Sequence, residues 1–202
     1  WRIDPSAPTV LALTGAAGTG KTTVLQEIRR RLTGTRTAWA AMTGKAASRM
    51  RDASGVNAKT LHSVLYYPPR EVDNEVDQKV DLEFEQLKSD GRSCLLVIDE
   101  SSMIGSRLFD DIKRSAYDKI LLVGDPYQIP PVLSKQEEAA RGGDYTVFSD
   151  RQRLGGFIEA AHLDEVMRNA GAVLRAATHV REHQEIPTES QSDASGTYSY
   201  AV

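Results

Sequence analysis

A lysine and a threonine close the glycine-rich stretch GAAGTGKT, Gly15 to Thr22, and two carboxylates, Asp99 and Glu100, close the apolar run LLVIDE. The first spacing, G-x-x-x-x-G-K-[ST], is that of a phosphate-binding loop. Its glycines let successive backbone N–H groups turn toward phosphate oxygens, and a helix beginning there adds the positive end of its dipole. In that chemistry Gly15, Ala16, Ala17, Gly18, Thr19, Gly20, Lys21, Thr22 and Thr23 cradle the phosphates, Lys21 reaches the β- and γ-phosphates, and the Thr22 hydroxyl serves Mg2+. Asp99 suits the water shell of that metal, and Glu100 suits a base for an attacking water. A third polar cluster ends the apolar run KILLVG: Asp125 and Gln128, in GDPYQIPP, would face the phosphates. The neutral amide of Gln128 can bond a γ-phosphate oxygen and its polar neighbours at once, so it could report that phosphate's presence. Pro130 and Pro131 would stiffen the exit and transmit the report.

These residues need strands that end together and a helix that starts at the loop. TVLALTG reads as a strand, and KTTVLQEIRRRLTG as a helix, with Val24, Leu25, Ile28 and Leu32 at helical spacing. TAWAAM is a second strand, followed by a helix through TGKAASRMRDA and a shorter one capped by Thr60 and ended by Pro68-Pro69. CLLVID and KILLVG are continuous apolar runs, as in central strands covered on both faces, with SRLFDDIKRSA as the helix between them. AHLDEV reads as a further short strand and AGAVLRAATHVREH as a closing helix. Strands alternating with helices imply an α/β fold with a central parallel sheet flanked by helices.

Residues 66–91 break this rhythm. They are acidic, lack long periodicity, and read as a small inserted subdomain, a hairpin or a helix with loops. The core domain is therefore expected over 1–65 and 92–186. The Ser-rich stretch 187–202 is expected to be a tail or linker.

With 202 residues, of which 40% are hydrophobic, the chain suffices for one domain with an insertion but not for two full domains. No apolar run is long enough to span a membrane. The only cysteine, Cys94, excludes a disulfide framework and a cysteine metal site, which fits a reducing, cytoplasmic setting. The opening on Trp1, with no Met and no leader, reads as a piece of something longer without an export signal. Net charge is −3, but the stretch from Lys21 to Lys59 is strongly basic, with only Glu27 and Asp52 opposing it, and the insertion is acidic. A segregated basic face is a candidate partner for a phosphate backbone, or simply a solvated surface.

Taken in order, GAAGTGKTT, AMTGKAA, KTLHSVL, VIDESSMI, VGDPYQIPPV and LDEVMRN resemble the motor domain 1A of superfamily 1B helicases, the RecD-like and Dda-like group. The likeness covers about Val10 to Arg181. It implies a RecA-like P-loop NTPase domain that binds and hydrolyses ATP with Mg2+ and moves 5′ to 3′ along single-stranded DNA. Catalytic roles then fall to Lys21, Glu100, Gln128 and Arg168, the last matching a cis arginine near the γ-phosphate. Metal binding falls to Thr22 and to Asp99 through water, and nucleotide contacts extend to Asp125. Thr43, Lys45, Thr60 and His62 match the family's strand-contacting elements, and the insertion matches its small 1B domain. Phe84 is the expected aromatic at the tip of that domain's pin.

The sequence departs from the family in three places. Met42 stands where the family has Pro, the first Gln is Gln26, so adenine preference has no visible carrier, and a second RecA-like domain is expected as a partner that 202 residues do not supply. Two rival readings are a non-catalytic nucleotide or DNA switch module and a P-loop ATPase acting on something other than DNA. The intact Lys21, Thr22, Asp99 and Glu100 speak against the first.

Overall fold

The structure, a computed structural model, describes residues 8–74, 79–87, 95–131, 147–148, 158–167, 178–180, 191–193 and 196–198. Six parallel strands form the central sheet in the order β3-β2-β6-β7-β1-β8. They are β1 (Thr9–Gly15), β2 (Thr37–Ala41), β3 (Ala58–Thr60), β6 (Leu95–Asp99), β7 (Lys119–Gly124) and β8 (Ile158–Leu163). The middle strands bury both faces, which is why their sequences run apolar without alternation.

Each face has its own core. Helices α1 (Lys21–Arg31) and α2 (Gly44–Ser54) bring Leu25 and Met50 against Leu13, Trp39, Val97 and Val123 on one side. Helices α3 (Leu61–Leu65) and α4 (Ser106–Arg114) bring Leu61, Leu65, Phe109 and Ile112 against Leu96, Ile98, Ile120 and Leu122 on the other. Within β6, Val97 faces the first core while Leu96 and Ile98 face the second, the period of two that a strand imposes on its side chains.

Between α3 and β6, β4 (Arg70–Asn74) and β5 (Lys79–Glu83) pair with each other as an antiparallel hairpin. Its foot is stitched to the core by a Tyr66 to Gln86 bridge and by backbone bonds from Tyr67 N–H to Glu85 O (2.9 Å) and Leu87 N–H to Leu65 O (2.8 Å).

The structure differs from the sequence reading in four places. The short strand β3 was not anticipated. The strand expected over AHLDEV instead runs from Ile158 to Leu163, because pairing with β1 fixes its limits. Within the expected tail, β9 (Gln191–Asp193) and β10 (Gly196–Tyr198) form a two-stranded antiparallel pair. Phe84 follows β5 directly and so lies at the hairpin's foot, at the end away from the connection between β4 and β5. Of the closing helix, residues 178–180 are helical and the rest lies outside the described residues.

Candidate nucleotide and strand site

Strand register decides which residues meet. Thr14 pairs with Gly124, Ile98 with Leu122, and Ala41 with Asp99, so β1, β7, β6 and β2 all end at the same edge of the sheet. That edge is where open α/β sheets bind ligands. It carries the 15–22 loop, Asp125, Asp99 with Glu100, and the start of α2 at Thr43.

The loop turns because its glycines permit it. Gly18 and Gly20 have φ of 85° and 88°, and Gly20 sits at the N-terminus of α1 with no side-chain cap, so the first helical N–H groups point outward. Gly15 is required by crowding: a Cβ there would lie 2.6 Å from Leu163 O and 2.7 Å from Thr19 Oγ1. Thr19 donates to Ala16 O at 2.9 Å. Lys21 Nζ donates to Gly15 O and Ala16 O, both at 2.7 Å, so its ammonium lies over the loop where phosphate oxygens would compete for it.

The two carboxylates at the end of β6 are held differently. Asp99 Oδ1 accepts from the Glu100 N–H at 2.9 Å. Burial pushes the Asp99 carboxyl above the usual range, that backbone bond opposes the shift, the Glu100 charge adds to it, and the Lys21 charge opposes it. Glu100 has φ 57° and ψ 39°, the one positive φ outside glycine among the described residues. Backbone strain of this kind concentrates at functional positions. Its Oε2 accepts a long bond, 3.5 Å, from the Thr43 hydroxyl.

Asp125 is buried, and its Oδ1 accepts from the Tyr127 N–H at 3.1 Å while its backbone O accepts from the Gln128 N–H at 3.0 Å. The carboxylate thus shapes its own turn, and Gln128 is exposed beyond it. Arg168 lies outside the described residues. Thr43 caps α2 by accepting from Ala46 N–H at 3.1 Å, and Lys45 is exposed in the first turn. Thr60 caps α3 by accepting from Ser63 N–H at 3.4 Å.

His62 and Phe84 belong to one aromatic cluster with Tyr66. Ring centroids are 5.8 Å apart for His62 and Tyr66, 6.2 Å for His62 and Phe84, and 5.7 Å for Tyr66 and Phe84. Phe84 is 47% exposed, so the cluster offers a ring to solvent at the hairpin's foot. Tyr66 is anchored by donating its hydroxyl to Asp111, and burial together with that bond pushes its pKa well up.

Sequence reasoning missed the other flank of the loop. A cavity of about 520 Å³ opens beside Gly18 and Gly20, walled by Thr23, Val24, Leu163, Asp164, Glu165 and Met167. Met167 N–H donates to Gly18 O at 2.9 Å, tying the segment after β8 to the loop. The sequence signal for this flank is LDEVMRN, in which Met167 precedes Arg168. Among the described residues no cluster of His, Cys, Asp or Glu could hold a metal by itself, and no helix is long and apolar enough to cross a membrane.

Comparison with known proteins agrees with this geometry. A family described as "AAA domain" matches residues 5–196. The ATP-dependent RecD2 DNA helicase of Deinococcus radiodurans is 33% identical over 127 residues, which is 61% of this chain and 16% of that protein. The ATP-dependent DNA helicase dda of Enterobacteria phage T4 is 31% identical over 178 residues, 85% of this chain and 37% of that protein. Among solved structures, Bacteroides Pif1 bound to single-stranded DNA superposes with a TM-score of 0.60 at 25% identity, covering 88% of this chain and 43% of that one. The chain thus spans less than half the length of these relatives. It belongs to the AAA-domain family and is, within it, a RecA-like domain of the superfamily 1B helicases.

Proposed function

We propose that this chain is the nucleotide-hydrolysing domain of a DNA helicase, one that couples ATP hydrolysis to 5′-to-3′ movement along single-stranded DNA. The observation that carries this reading is the convergence of Lys21, Asp99, Glu100 and Asp125 with the start of α2 at one edge of the sheet. In it Lys21 exchanges its two loop carbonyls for β- and γ-phosphate oxygens, and Glu100 orients the attacking water. The cavity beside the loop has the size that a base and ribose need, with Val24, Leu163 and Met167 as apolar contacts and Thr23, Asp164 and Glu165 as polar ones.

The donor set suits Mg2+: a threonine hydroxyl at Thr22 and an Asp99 carboxylate whose burial is eased by the nearby Lys21 charge. Bound there, the ion would neutralise charge developing on the phosphates. Thr43, Lys45, Thr60, His62 and Phe84 form the strand-facing set, with Gln128 and Arg168 serving the γ-phosphate. A second RecA-like domain would complete the hydrolytic site, since such motors close two domains around the nucleotide. The bounds 1–65 with 92–186 and 66–91 describe the core and its inserted hairpin domain, and the setting is the cytoplasm.

ATP hydrolysis measured with and without a single-stranded oligonucleotide, beside Glu100→Gln, tests this. Stimulation by the oligonucleotide that Glu100→Gln abolishes is the expected result. Hydrolysis that ignores the oligonucleotide would favour an ATPase acting on another substrate.

A further inference from the structure

The fold sorts the cations of the basic stretch between Lys21 and Lys59 by what already holds them. Lys21 rests on the phosphate loop. Arg30 and Arg31 share Glu27, at 2.7 Å and 2.6 Å. Arg29 donates to Ser54 O and Arg51 to Ala58 O, so these two guanidinium groups tie the end of α2 to α1 and to β3. Arg36 precedes β2, and its carbonyl accepts from the Leu95 N–H at 3.2 Å, which places it at the edge of the sheet opposite the phosphate loop. Lys45, Arg49 and Lys59 remain. All three are exposed, and among the described residues none has an ion pair or a hydrogen bond from its side chain. Asp52, exposed on α2, pairs with none of them.

These three cations share one side of the domain. Lys45 and Arg49 are four residues apart on α2 and so are neighbours on its exposed face. Lys59 stands on β3, the outermost strand on that side of the sheet, where Ala58 packs with Met50 of α2. Without an anion the arrangement is unfavourable: like charges at that helical spacing repel, and a cation in the first turn of α2, which holds no acidic residue, opposes the helix dipole.

We propose that Arg49 and Lys59 extend the strand-binding site, so that the phosphate backbone of single-stranded DNA continues from the start of α2 over the outer side of α2 and β3. This rests on the reading that Thr43, Lys45 and Thr60 meet the strand. The extension is continuous with them: Arg49 lies one turn beyond Lys45, and Lys59 immediately precedes Thr60. Exposed point charges of this kind neutralise phosphates without reading bases, as sequence-independent tracking requires.

Salt dependence separates a local contact from the field of the whole chain. Binding of a fluorescent oligo-dT, without nucleotide, is measured across a salt series for the unaltered chain, for Arg49→Gln with Lys59→Gln, and for Arg30→Gln with Arg31→Gln. Both double variants lose two positive charges and change only exposed side chains, so net charge and fold are matched. The slope of log affinity against log salt is expected to become shallower by about 1.4 in the first variant, about 0.7 for each lost phosphate contact, and to stay unchanged in the second. An unchanged slope in the first variant, or an equal change in both, would overturn the proposal. An unaltered chain that binds no oligo-dT would remove the strand reading itself, and the extension with it.

Discussion

The phosphate edge and the foot of the hairpin both lie where strands meet loops, yet different forces place them. At the edge, Gly15, Asp99 and Asp125 follow buried parallel strands whose register is fixed by two cores, so backbone topology positions the chemistry. At the foot, β4 and β5 pair with each other, and among the described residues the hairpin is tied down by Tyr66 to Asp111, Gln86 Nε2 to Asp111 O at 2.8 Å, and backbone bonds from Tyr67 N–H to Glu85 O and from Leu87 N–H to Leu65 O. Asp111 is itself paired with Arg114. Positions set by a sheet resist local change, whereas positions set by a side-chain clasp can be loosened without unfolding the domain.

Substitutions at the two regions should therefore differ in size and kind. Gly15→Ala places a Cβ 2.6 Å from a backbone oxygen of β8, so the sheet must shift, and we expect a loss of about 2 to 3 kcal/mol in denaturant unfolding. Tyr66→Phe removes only the hydroxyl held by Asp111 and should cost about 1 kcal/mol or less. Its effect should concentrate in faster hydrogen exchange at the Tyr67 and Leu87 amides, while amides of β6 and β7 stay protected. Faster exchange throughout the sheet would erase the distinction between the regions.

The smallest effect belongs to a contact with neither burial nor topology behind it. Glu27 on α1 accepts from Arg30 Nε at 2.7 Å and Arg31 Nε at 2.6 Å, and hydrogen bonds from these two arginines lower its pKa to about 2. A carboxylate with a depressed folded pKa contributes stability above its ordinary pKa and loses it as pH falls toward about 2. Because the group lies at the surface, solvent screens the gain, and Glu27→Gln should leave the melting temperature at neutral pH within error.

The contrast also explains what could be read from the amino acids. The strands leading to the phosphate loop, to Asp99 and to Asp125 announce themselves because burial on both faces demands apolar runs, and Thr60 announces a helix start by cap chemistry. Three-residue strands give no such signal. Ala58–Thr60 and the β9 and β10 pair are too short for a period of two to emerge, and pairing alone defines them. Phe84 is expected at a pin tip only from the family resemblance, because residues 66–91 carry no clean periodicity from which the register of the hairpin could be read. The long-range touches, Met167 on Gly18 and Thr43 on Glu100, depend on register between distant strands and have no local trace.

The central claim is that the sheet edge is a nucleotide site whose lysine now rests on its own loop. Calorimetric binding of ATP with Mg2+ to the unaltered chain and to Lys21→Ala tests it most directly. The account predicts measurable binding that weakens at least about tenfold when the charged donor to the phosphates is removed. Equal affinity in the two proteins would contradict it, because the loop would then be holding no phosphate through Lys21.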